Sequence, residues 1–230
     1  MANKKKPPVE TAAEDAGPSA AERTRANILE VATREFSEKG LAGARVDEIA
    51  ERTNTSKRMI YYYFESKEGL YKAVLEKAYE QIRRIESDVT TDALPPLEAL
   101  RQLVGATYDW HNDHPDFVRL VMNENIHRGE HIGSLDHVLG RRRSIIDLLQ
   151  KLLRRGEKSG DFRTGLDALD LHMTISALSF YNVSNRHTFS RLFEHDMSAP
   201  RVLRARREVV IDTVLRWCRA EPSTATRRGN

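Results

Sequence analysis

The residues best suited to chemistry in this sequence lie in one short stretch, SKRMIYYYFESKEGLY, from Ser56 to Tyr71. The chain of 230 residues has seven Tyr, seven Phe and two Trp, and five of these aromatic residues stand here beside Lys57, Arg58 and Lys67. A phenol has a flat apolar body and a hydroxyl that donates to a phosphate oxygen, and the cations attract the same group. The stretch therefore predicts contact with a polyanion.

Four consecutive aromatic residues cannot all be buried by one helix face, because successive helical residues turn by about 100°. Ile60 and Phe64 are four residues apart and share one face, so some of Tyr61, Tyr62 and Tyr63 must face outward. A strand would instead bury alternate residues, but it needs a pairing partner, and helical patterns flank the stretch on both sides. The pattern favours a helix.

A short helix over Val46–Arg52 precedes this stretch, and the polar turn Thr53-Asn54-Thr55 separates the two. Ser56 is suited to cap the second helix, and Asn54 tolerates the left-handed backbone that such a turn requires. Two helices joined by a turn of this length describe a helix-turn-helix, whose second helix enters the major groove of DNA.

Two further cations stand near predicted helix starts. Lys67 follows Ser66, the expected cap of a fourth helix, and Arg45 precedes the second helix. A cation in the first turn of a helix costs a few tenths of a kcal/mol to about 1 kcal/mol. A bound phosphate would offset that cost, and a side chain that is simply solvated is the alternative for each.

The rest of the chain is also helical in pattern, without the alternation typical of strands. The fold expected is all-α: an N-terminal three-helix helix-turn-helix domain, joined by a long fourth helix to an α-helical ligand-binding and dimerisation domain. The boundaries expected are a disordered arm over 1–20, the DNA-binding domain over 21–67 with its helix-turn-helix at about 45–64, the body over 68–220 and a flexible tail over 221–230. The helices expected run over Ala21–Lys39, Val46–Arg52, a third from Lys57, a fourth to about Glu86, then about 97–113, 116–127, 135–157, 167–188 and 200–219.

Composition excludes several classes. The single cysteine, Cys218, cannot form an intrachain disulfide and fits a reducing compartment, and no apolar run is long enough to span a membrane. The N-terminus lacks the apolar core of a secretory signal, so a cytoplasmic protein with no membrane partner is expected. The net charge of +3 is weak evidence for any partner. The arginines of Arg201–Arg207 are expected to form a solvated face, with DNA contact as the alternative.

Metal and catalytic sites have little support. His111 and His114, and His127 and His131, have spacings that place each pair on one helix face, but no zinc, nucleotide or nucleophile motif accompanies them. No metal, no cofactor and no enzymatic activity are therefore expected. One alternative is an all-α metal-binding protein or enzyme whose N-terminal helix-turn-helix domain over 21–67, the headpiece, is incidental. The other is an architectural protein that binds DNA without sequence preference.

A small-molecule pocket is expected among the middle helices, where apolar walls and a few polar groups occur together. Ordinary core or dimer positions are the alternative for every candidate. The candidates are Trp110, Met122, Asn125, Ile175, Ser179 and Tyr181. The last two long helices each have an apolar stripe that suits either a four-helix dimer interface or burial within the subunit. The stripes are Leu171, Ile175, Leu178 and Val183, and Val202, Val209, Thr213 and Trp217.

From Ile28 to Leu75 the sequence resembles the tetracycline-repressor (TetR) family of bacterial transcription regulators. The resemblance rests on the A-x3-F-x3-G frame of the first helix, on Ile49-Ala50, and on YYYF-x2-KE-x-L at Tyr61 to Leu70, and it covers about a fifth of the chain. It implies a homodimer of all-α subunits, two headpieces that read a palindromic DNA operator, and a body that binds a small-molecule effector.

Carried over position by position, the resemblance makes Thr55, Ser56, Lys57 and Arg58 the start of the recognition helix. It places Tyr61, Tyr62 and Tyr63 where the family contacts backbone and bases, and Lys67 where the family binds phosphate. The chain departs from the family at Thr53–Ser56, where AGVS is frequent, and at Ala44-Arg45, where Thr-Thr is frequent, so the resemblance implies no particular base preference. The body around His114–Ile132 resembles a branch with repressors of nitrogen-heterocycle catabolism, which implies an aromatic or nitrogen-heterocyclic effector.

Overall fold

The computed structural model describes residue 17 and residues 19–88 and 93–221, with side chains for all of these except 85–88 and 136–144. The expected arm and tail lie almost wholly outside the described residues. The described part is all-α, and its one β-type pairing is an isolated bridge between Phe162 and Arg219. Its helices are α1 (Ala20–Gly43), α2 (Val46–Arg52), α3 (Lys57–Phe64), α4 (Lys67–Asp88), α5 (Pro96–Asp113), α6 (Pro115–Ile126), a 3-10 turn (Ile132–Ser134), α7 (Asp136–Ser159), α8 (Ala168–Ser184), α9 (Arg186–Leu192) and α10 (Pro200–Cys218).

Helix α1 starts one residue earlier than the pattern predicts, because Ser19 and Glu22 form a reciprocal capping box. The Glu22 amide donates to Ser19 Oγ over 3.2 Å, and the Ser19 amide donates to Glu22 Oε2 over 2.7 Å. The helix was expected to end at Lys39, but Gly40, with a φ of 65°, forms a kink, and one more helical turn leads to Ala44.

Helix α2 has the predicted bounds. The helix predicted over 167–188 ends earlier, so its predicted C-terminal bound is wrong. The chain breaks at Asn185, whose backbone leaves the helical region and whose side-chain amide donates to Ser184 Oγ over 2.8 Å. A separate short helix, α9, follows. Asparagine competes for local hydrogen bonds in this way and so favours helix ends.

Two apolar cores hold the helices together. The first lies among α1–α4 and extends into the body through Trp110 of α5 and through Phe117, Val118 and Leu120 of α6. The second lies among α5, α7, α8 and α10. Because α6 shares its core with α1, the N-terminal helices are packed onto the body and are not an isolated module. None of the described helices is both long and apolar enough to cross a bilayer.

The expectation that Arg201–Arg207 form a solvated face is wrong for Arg207. Its Nε lies 2.9 Å from both carboxylate oxygens of Asp109 and pairs α10 with α5. The guanidinium also lies against Gly105, where a Cβ would clash with it. Glycine at this position leaves room for the guanidinium beside α5.

Candidate nucleic-acid interface

Helix α3 buries two side chains and exposes the rest. Ile60 and Phe64 are 0% and 5% exposed and anchor the helix in the first core, whereas Tyr62 is 77% exposed and Tyr61 is 37% exposed. Tyr63 is half-buried against the core, with its ring 5.4 Å from the ring of Tyr62. The run of tyrosines is therefore divided between solvent and core, as the helical geometry requires.

The start of α3 is fixed by the turn before it. Asn54 has a φ of 50°, which is the left-handed conformation expected of it. Ser56 then caps the helix, since its Oγ accepts a hydrogen bond of 3.2 Å from the Met59 amide. The Ser56 and Arg58 side chains are exposed and Thr55 is half-buried, so the first turn of α3 faces solvent. Its remaining free N–H groups and positive dipole end are available to an anion.

Three cations lie at the starts of successive helices. Lys57 pairs with Asp47 of α2 over 3.0 Å, and this hydrogen-bonded carboxylate raises the pKa of Lys57. Lys67 at the start of α4 donates to the Ala42 carbonyl over 3.3 Å, which brings it close to the α1–α2 connection. Arg45 precedes α2 with a side chain that is 68% exposed. Arg45 and Lys57 are thus exposed and Lys67 is partly exposed, each at the start of a different helix.

A buried carboxylate, Glu35, orients α2, and the sequence patterns did not identify it. Glu35 is 0% exposed and accepts hydrogen bonds from the Arg45 backbone amide over 3.2 Å and from Arg52 over 3.5 Å. Lys39 lies 2.8 Å from the same carboxylate. The start and the end of α2 are both tied to α1 through this one side chain, so it positions the first helix of the helix-turn-helix.

A close approach between α3 and α4 explains the glycine of the KEGL sequence. The turn between the helices passes through Glu65, whose φ is 65°, and Ser66 Oγ then accepts from the Gly69 amide over 2.9 Å. A Cβ on Gly69 would clash with the Phe64 carbonyl oxygen. A side chain there would force α4 away from the end of α3 and would move Lys67 with it.

The structure does not gather the six predicted ligand residues around one described cavity. Trp110 is buried in the first core and stacks on His114, and Ile175 is buried in the second. Met122 and Asn125 lie at the exposed side of α6. Ser179 is fully buried with no hydrogen-bond partner for its Oγ, and Tyr181 is half-exposed beside a cavity between α8, α9 and α10. The ligand role of these residues stays a prediction.

The paired histidines use their Nδ1 atoms locally. The Nδ1 atoms of His111, His114 and His127 lie within 2.7 to 2.9 Å of main-chain carbonyls one helical turn earlier. His131 Nδ1 lies 3.0 Å from Glu124. Within the part of the chain that the structure describes, no three His, Cys, Asp or Glu residues are placed to hold a metal ion together.

Two family descriptions match the chain. Residues 28–74 match the family described as bacterial regulatory proteins, tetR family, and residues 96–214 match the tetracyclin repressor-like C-terminal domain. The first range contains the helix-turn-helix, and the second covers about half of the chain.

Several relatives are similar over most of their length. The HTH-type transcriptional repressor NicS of Pseudomonas putida is 34% identical over 178 residues, which is 77% of this chain and 84% of the relative. The HTH-type transcriptional repressor SCO4008 of Streptomyces coelicolor is 28% identical over 70% of this chain and 79% of its own. The HTH-type transcriptional regulator RutR of Escherichia coli K12 is 31% identical over 58% of this chain and 61% of its own.

Solved structures share the fold. The transcriptional regulator SCO4942 of Streptomyces coelicolor superposes with a TM-score of 0.66 at 26% identity, covering 85% of this chain and 98% of that one. The regulator FadR of Bacillus subtilis, solved with stearoyl-CoA, superposes with a TM-score of 0.63 at 18% identity over 84% of this chain and 98% of its own. With a helix-turn-helix of the required geometry, two matching family domains and a repressor similar over most of its length, this chain belongs to the TetR family of bacterial transcription regulators.

Proposed function

We propose that this protein is a ligand-responsive repressor that binds a palindromic DNA operator as a homodimer and is released by a small-molecule effector. The observation that carries the proposal is the exposed surface of α3. Tyr62 is 77% exposed and Tyr61 is 37% exposed, so two phenols face solvent on the same helix as the exposed cations Lys57 and Arg58.

The surface suits DNA in particular. Arg58 and Tyr62 are four residues apart on α3 and so lie on the same side of the helix, where they reach base edges and phosphates of one groove. Lys57, Arg45 and Lys67 flank that side with charge that contacts phosphates regardless of sequence. We assign Thr55, Ser56 and Tyr61 to the same interface and Tyr63 to its inner edge.

The proposed dimer uses an apolar stripe on α8 that the subunit leaves uncovered. Leu169 and Met173 are each 61% exposed and Tyr181 is 50% exposed, and with the exposed Ala177 they recur at every fourth residue on one face. The neighbouring α10 adds Val209, which is also 50% exposed. Helices α8 and α10 of two subunits then form a four-helix interface.

This stripe is not the one that the sequence suggested for α8. Leu171, Ile175 and Val183 lie in the second or first core, which accounts for that stripe by burial within the subunit. On α10, Val209 and Thr213 of the suggested stripe are exposed and remain available to a partner subunit.

The effector is proposed to be an aromatic or nitrogen-heterocyclic catabolite that binds in the body, over about 68–220, and shifts the spacing of the two headpieces. The effector must bind the released geometry better than the DNA-bound one, because equal affinity for both would shift nothing. FadR of Bacillus subtilis, which shares the fold, was solved in complex with stearoyl-CoA, so a protein of this fold binds a small-molecule ligand.

Selection of genomic DNA fragments by the purified full chain tests the proposal. We expect enrichment of a few fragments with an inverted repeat, whose half-sites lie about 34 Å or a multiple of that apart. Addition of the specific effector should release them. Enrichment without any shared sequence would instead identify an architectural DNA binder, and no enrichment would contradict the proposal.

A further inference from the structure

The C-terminal end of α9 exposes two large apolar side chains. Leu192 is 77% exposed and Phe193 is 63% exposed. The centre of the Phe193 ring lies 4.4 Å from that of Phe189, one helical turn earlier, and Phe189 lines the cavity between α8, α9 and α10. Glu194 follows and is also exposed. These three residues, Leu192, Phe193 and Glu194, are named the α9 tip, and its apolar surface continues into the cavity.

That cavity is an open groove of about 530 Å³ with mainly apolar walls. Tyr181 from α8, Phe189 from α9, and Val202 and Val209 from α10 line it. Tyr181 and Val209 are also the exposed residues of α8 and α10 that belong to the proposed dimer face. The groove is therefore continuous with the surface that the partner subunit covers, and a segment of the partner is the occupant to be expected there.

The groove and the α9 tip have opposite charges. Arg201 and Arg206 line the groove, and none of its described lining residues is acidic. No described carboxylate lies within salt-bridge distance of either arginine, whereas Arg207 next to them pairs with Asp109. Glu194 in turn has no described cation within salt-bridge distance in its own subunit. The tip and the groove thus complement each other both in apolar surface and in charge.

The backbone of Glu194 has an unfavourable conformation for its residue type. Its φ of 49° is left-handed, and it directly follows Phe193, the C-cap of α9. Glycine fits this position at a helix end most readily, because it has no Cβ. An ion pair between Glu194 and a second subunit would offset the local cost of a glutamate here.

The symmetry of the proposed homodimer brings tip and groove together. Val183, close to the end of α8, lies in the first core, which the headpiece helices share, so the groove beside Tyr181 and Asn182 is at the headpiece end of α8. Two headpieces that face one DNA duplex require a two-fold axis that runs toward the DNA. The tips and grooves of both subunits then lie at the same level along this axis, and each tip adjoins its own groove. A two-fold contact in which each tip meets the other subunit's groove is therefore closed.

We propose that the α9 tip of each subunit docks into the groove of its partner. Leu192 and Phe193 enter the apolar groove, and Glu194 pairs with Arg201 and Arg206 of the partner subunit. The contact is reciprocal, so it occurs twice in the dimer and extends the interface of α8 and α10 toward the headpieces. The inference rests on the homodimer of the proposed function and assigns to it a contact that α8 and α10 do not supply.

Two charge reversals in the full chain test the exchange, with dimerisation measured by sedimentation velocity over a range of protein concentrations. Both Glu194→Arg and Arg201→Glu alter exposed side chains and place like charges at both contacts of a homodimer. Each should weaken dimerisation by roughly 5- to 30-fold. In an equimolar mixture of the two variants, the heterodimer has opposite charges at both contacts and should associate about as tightly as wild type.

The mixture separates exchange between subunits from a contact within one subunit. An ion pair within one subunit would be restored when both changes are made on the same chain, but not when the two single variants are mixed. Unchanged dimerisation of both single variants, or a mixture that associates as weakly as its components, would overturn the proposal.

The apolar part of the contact is tested with Phe193→Ala. The change removes an aromatic side chain from both contacts and should weaken dimerisation by about 10-fold or more. Ile126→Ala is the matched control, because Ile126 is an exposed apolar residue on α6 outside the groove, and it should leave dimerisation unchanged. Circular dichroism verifies that both variants keep their helices. Equal dimerisation of the two variants would overturn the proposal.

Leu169→Arg, a change in the exposed α8 stripe far from the groove in sequence, tests the proposed dimer face separately. If Leu169→Arg dissociates the dimer and the changes in the α9 tip do not, the proposed homodimer stands, this inference fails, and the groove is left to another occupant. If the changes in the tip dissociate the dimer and Leu169→Arg does not, this inference is supported and the α8 stripe is not the interface. A wild-type chain that stays monomeric contradicts the homodimer of the proposed function and this inference with it.

Discussion

The Tyr71 hydroxyl of α4 donates a hydrogen bond of 2.9 Å to the carboxylate of Glu124 on α6, and both side chains are buried. The same carboxylate accepts from the backbone amides of His131 and Ile132, each over 3.2 Å, and lies 3.0 Å from His131 Nδ1. One side chain of the body thus joins the helix that leaves the headpiece to the turn that follows α6. Burial raises the pKa of Tyr71, so its phenol remains a donor at all physiological pH values.

Changing Tyr71→Phe should lower the free energy of unfolding by about 1 to 2 kcal/mol, because a buried acceptor loses one of its donors while the ring packing is kept. Urea denaturation followed by circular dichroism measures the change. The matched control is Tyr62→Phe, which removes an exposed hydroxyl and should change stability by less than about 0.5 kcal/mol. Equal stabilities for wild type and Tyr71→Phe would mean that this hydrogen bond has no net value.

Replacing Glu35→Ala should destabilise the protein by about 2 to 3 kcal/mol and weaken operator binding. The change leaves the Arg45 amide without its acceptor and frees α2, whereas Lys39 and Arg52 are exposed enough to regain water. Thermal and urea unfolding measure the first effect, and a mobility shift under native conditions measures the second. Glu38→Ala, an exposed change one helical turn away, is the control, and a comparable loss in it would contradict the role of Glu35.

Truncating Arg58→Ala or Tyr62→Ala should weaken operator binding by roughly 10- to 100-fold, since each is expected to remove 1 to 3 kcal/mol of contact with the groove. Both side chains are exposed, so the melting temperature should stay close to that of wild type. Arg154→Ala removes another exposed cation, on α7 and outside the proposed interface, and should have no effect. Normal footprints with both α3 variants would remove this helix from the interface.

The headpiece was predictable in detail because its signals are local. Residues within a few positions of one another determine each of the features that were predicted. These features are the bounds of α2, the left-handed backbone of Asn54, the Ser56 cap and the burial of Ile60 and Phe64. Glu35 was not predictable, because a charged residue in a helical pattern is expected on the surface. Its burial depends on Arg45, which lies ten residues along the chain and meets it only after α2 folds back.

The body was less predictable because α8 is apolar around most of its circumference. Its buried residues Leu171 and Ile175 and its exposed residues Leu169 and Met173 are equally apolar, so periodicity does not distinguish the core face from the proposed interface. The break at Asn185 was not predicted for the same reason, because apolar residues continue past it into α9.

Changing Lys67→Ala should weaken binding to every DNA sequence and should reduce the slope of log affinity against log salt by about 0.9, the value for one phosphate contact. The side chain donates to the Ala42 carbonyl without DNA present, and it remains partly accessible to a phosphate at the start of α4. A mobility-shift titration in salt measures the slope. Lys158→Ala, at the far end of α7, should leave the slope unchanged, and an unchanged slope in Lys67→Ala would rule out the phosphate contact.

The stability of the body should fall in mild acid because of His172. Burial, with the charge of Arg83 and the imidazole of His111 nearby, lowers the pKa of His172 from 6.5 to about 4. Below about pH 6.5 the unfolded chain therefore binds a proton that the folded chain does not, and stability is lost as the pH falls toward about 4. For this one group the loss at about pH 5 comes to about 2 kcal/mol.

Burial also lowers the pKa of His111. Its protonation in the unfolded chain therefore also reduces the stability of the folded protein as the pH falls. Urea denaturation at about pH 7.5 and at about pH 5 measures the combined loss of stability, because these two pH values lie on either side of the ordinary histidine pKa. His172→Gln should make the difference between the two conditions smaller by about 2 kcal/mol, whereas His187→Gln, an exposed change on α9, should not alter it. An equal difference in wild type and His172→Gln would show that this imidazole titrates normally in the folded protein and is not held neutral by its surroundings.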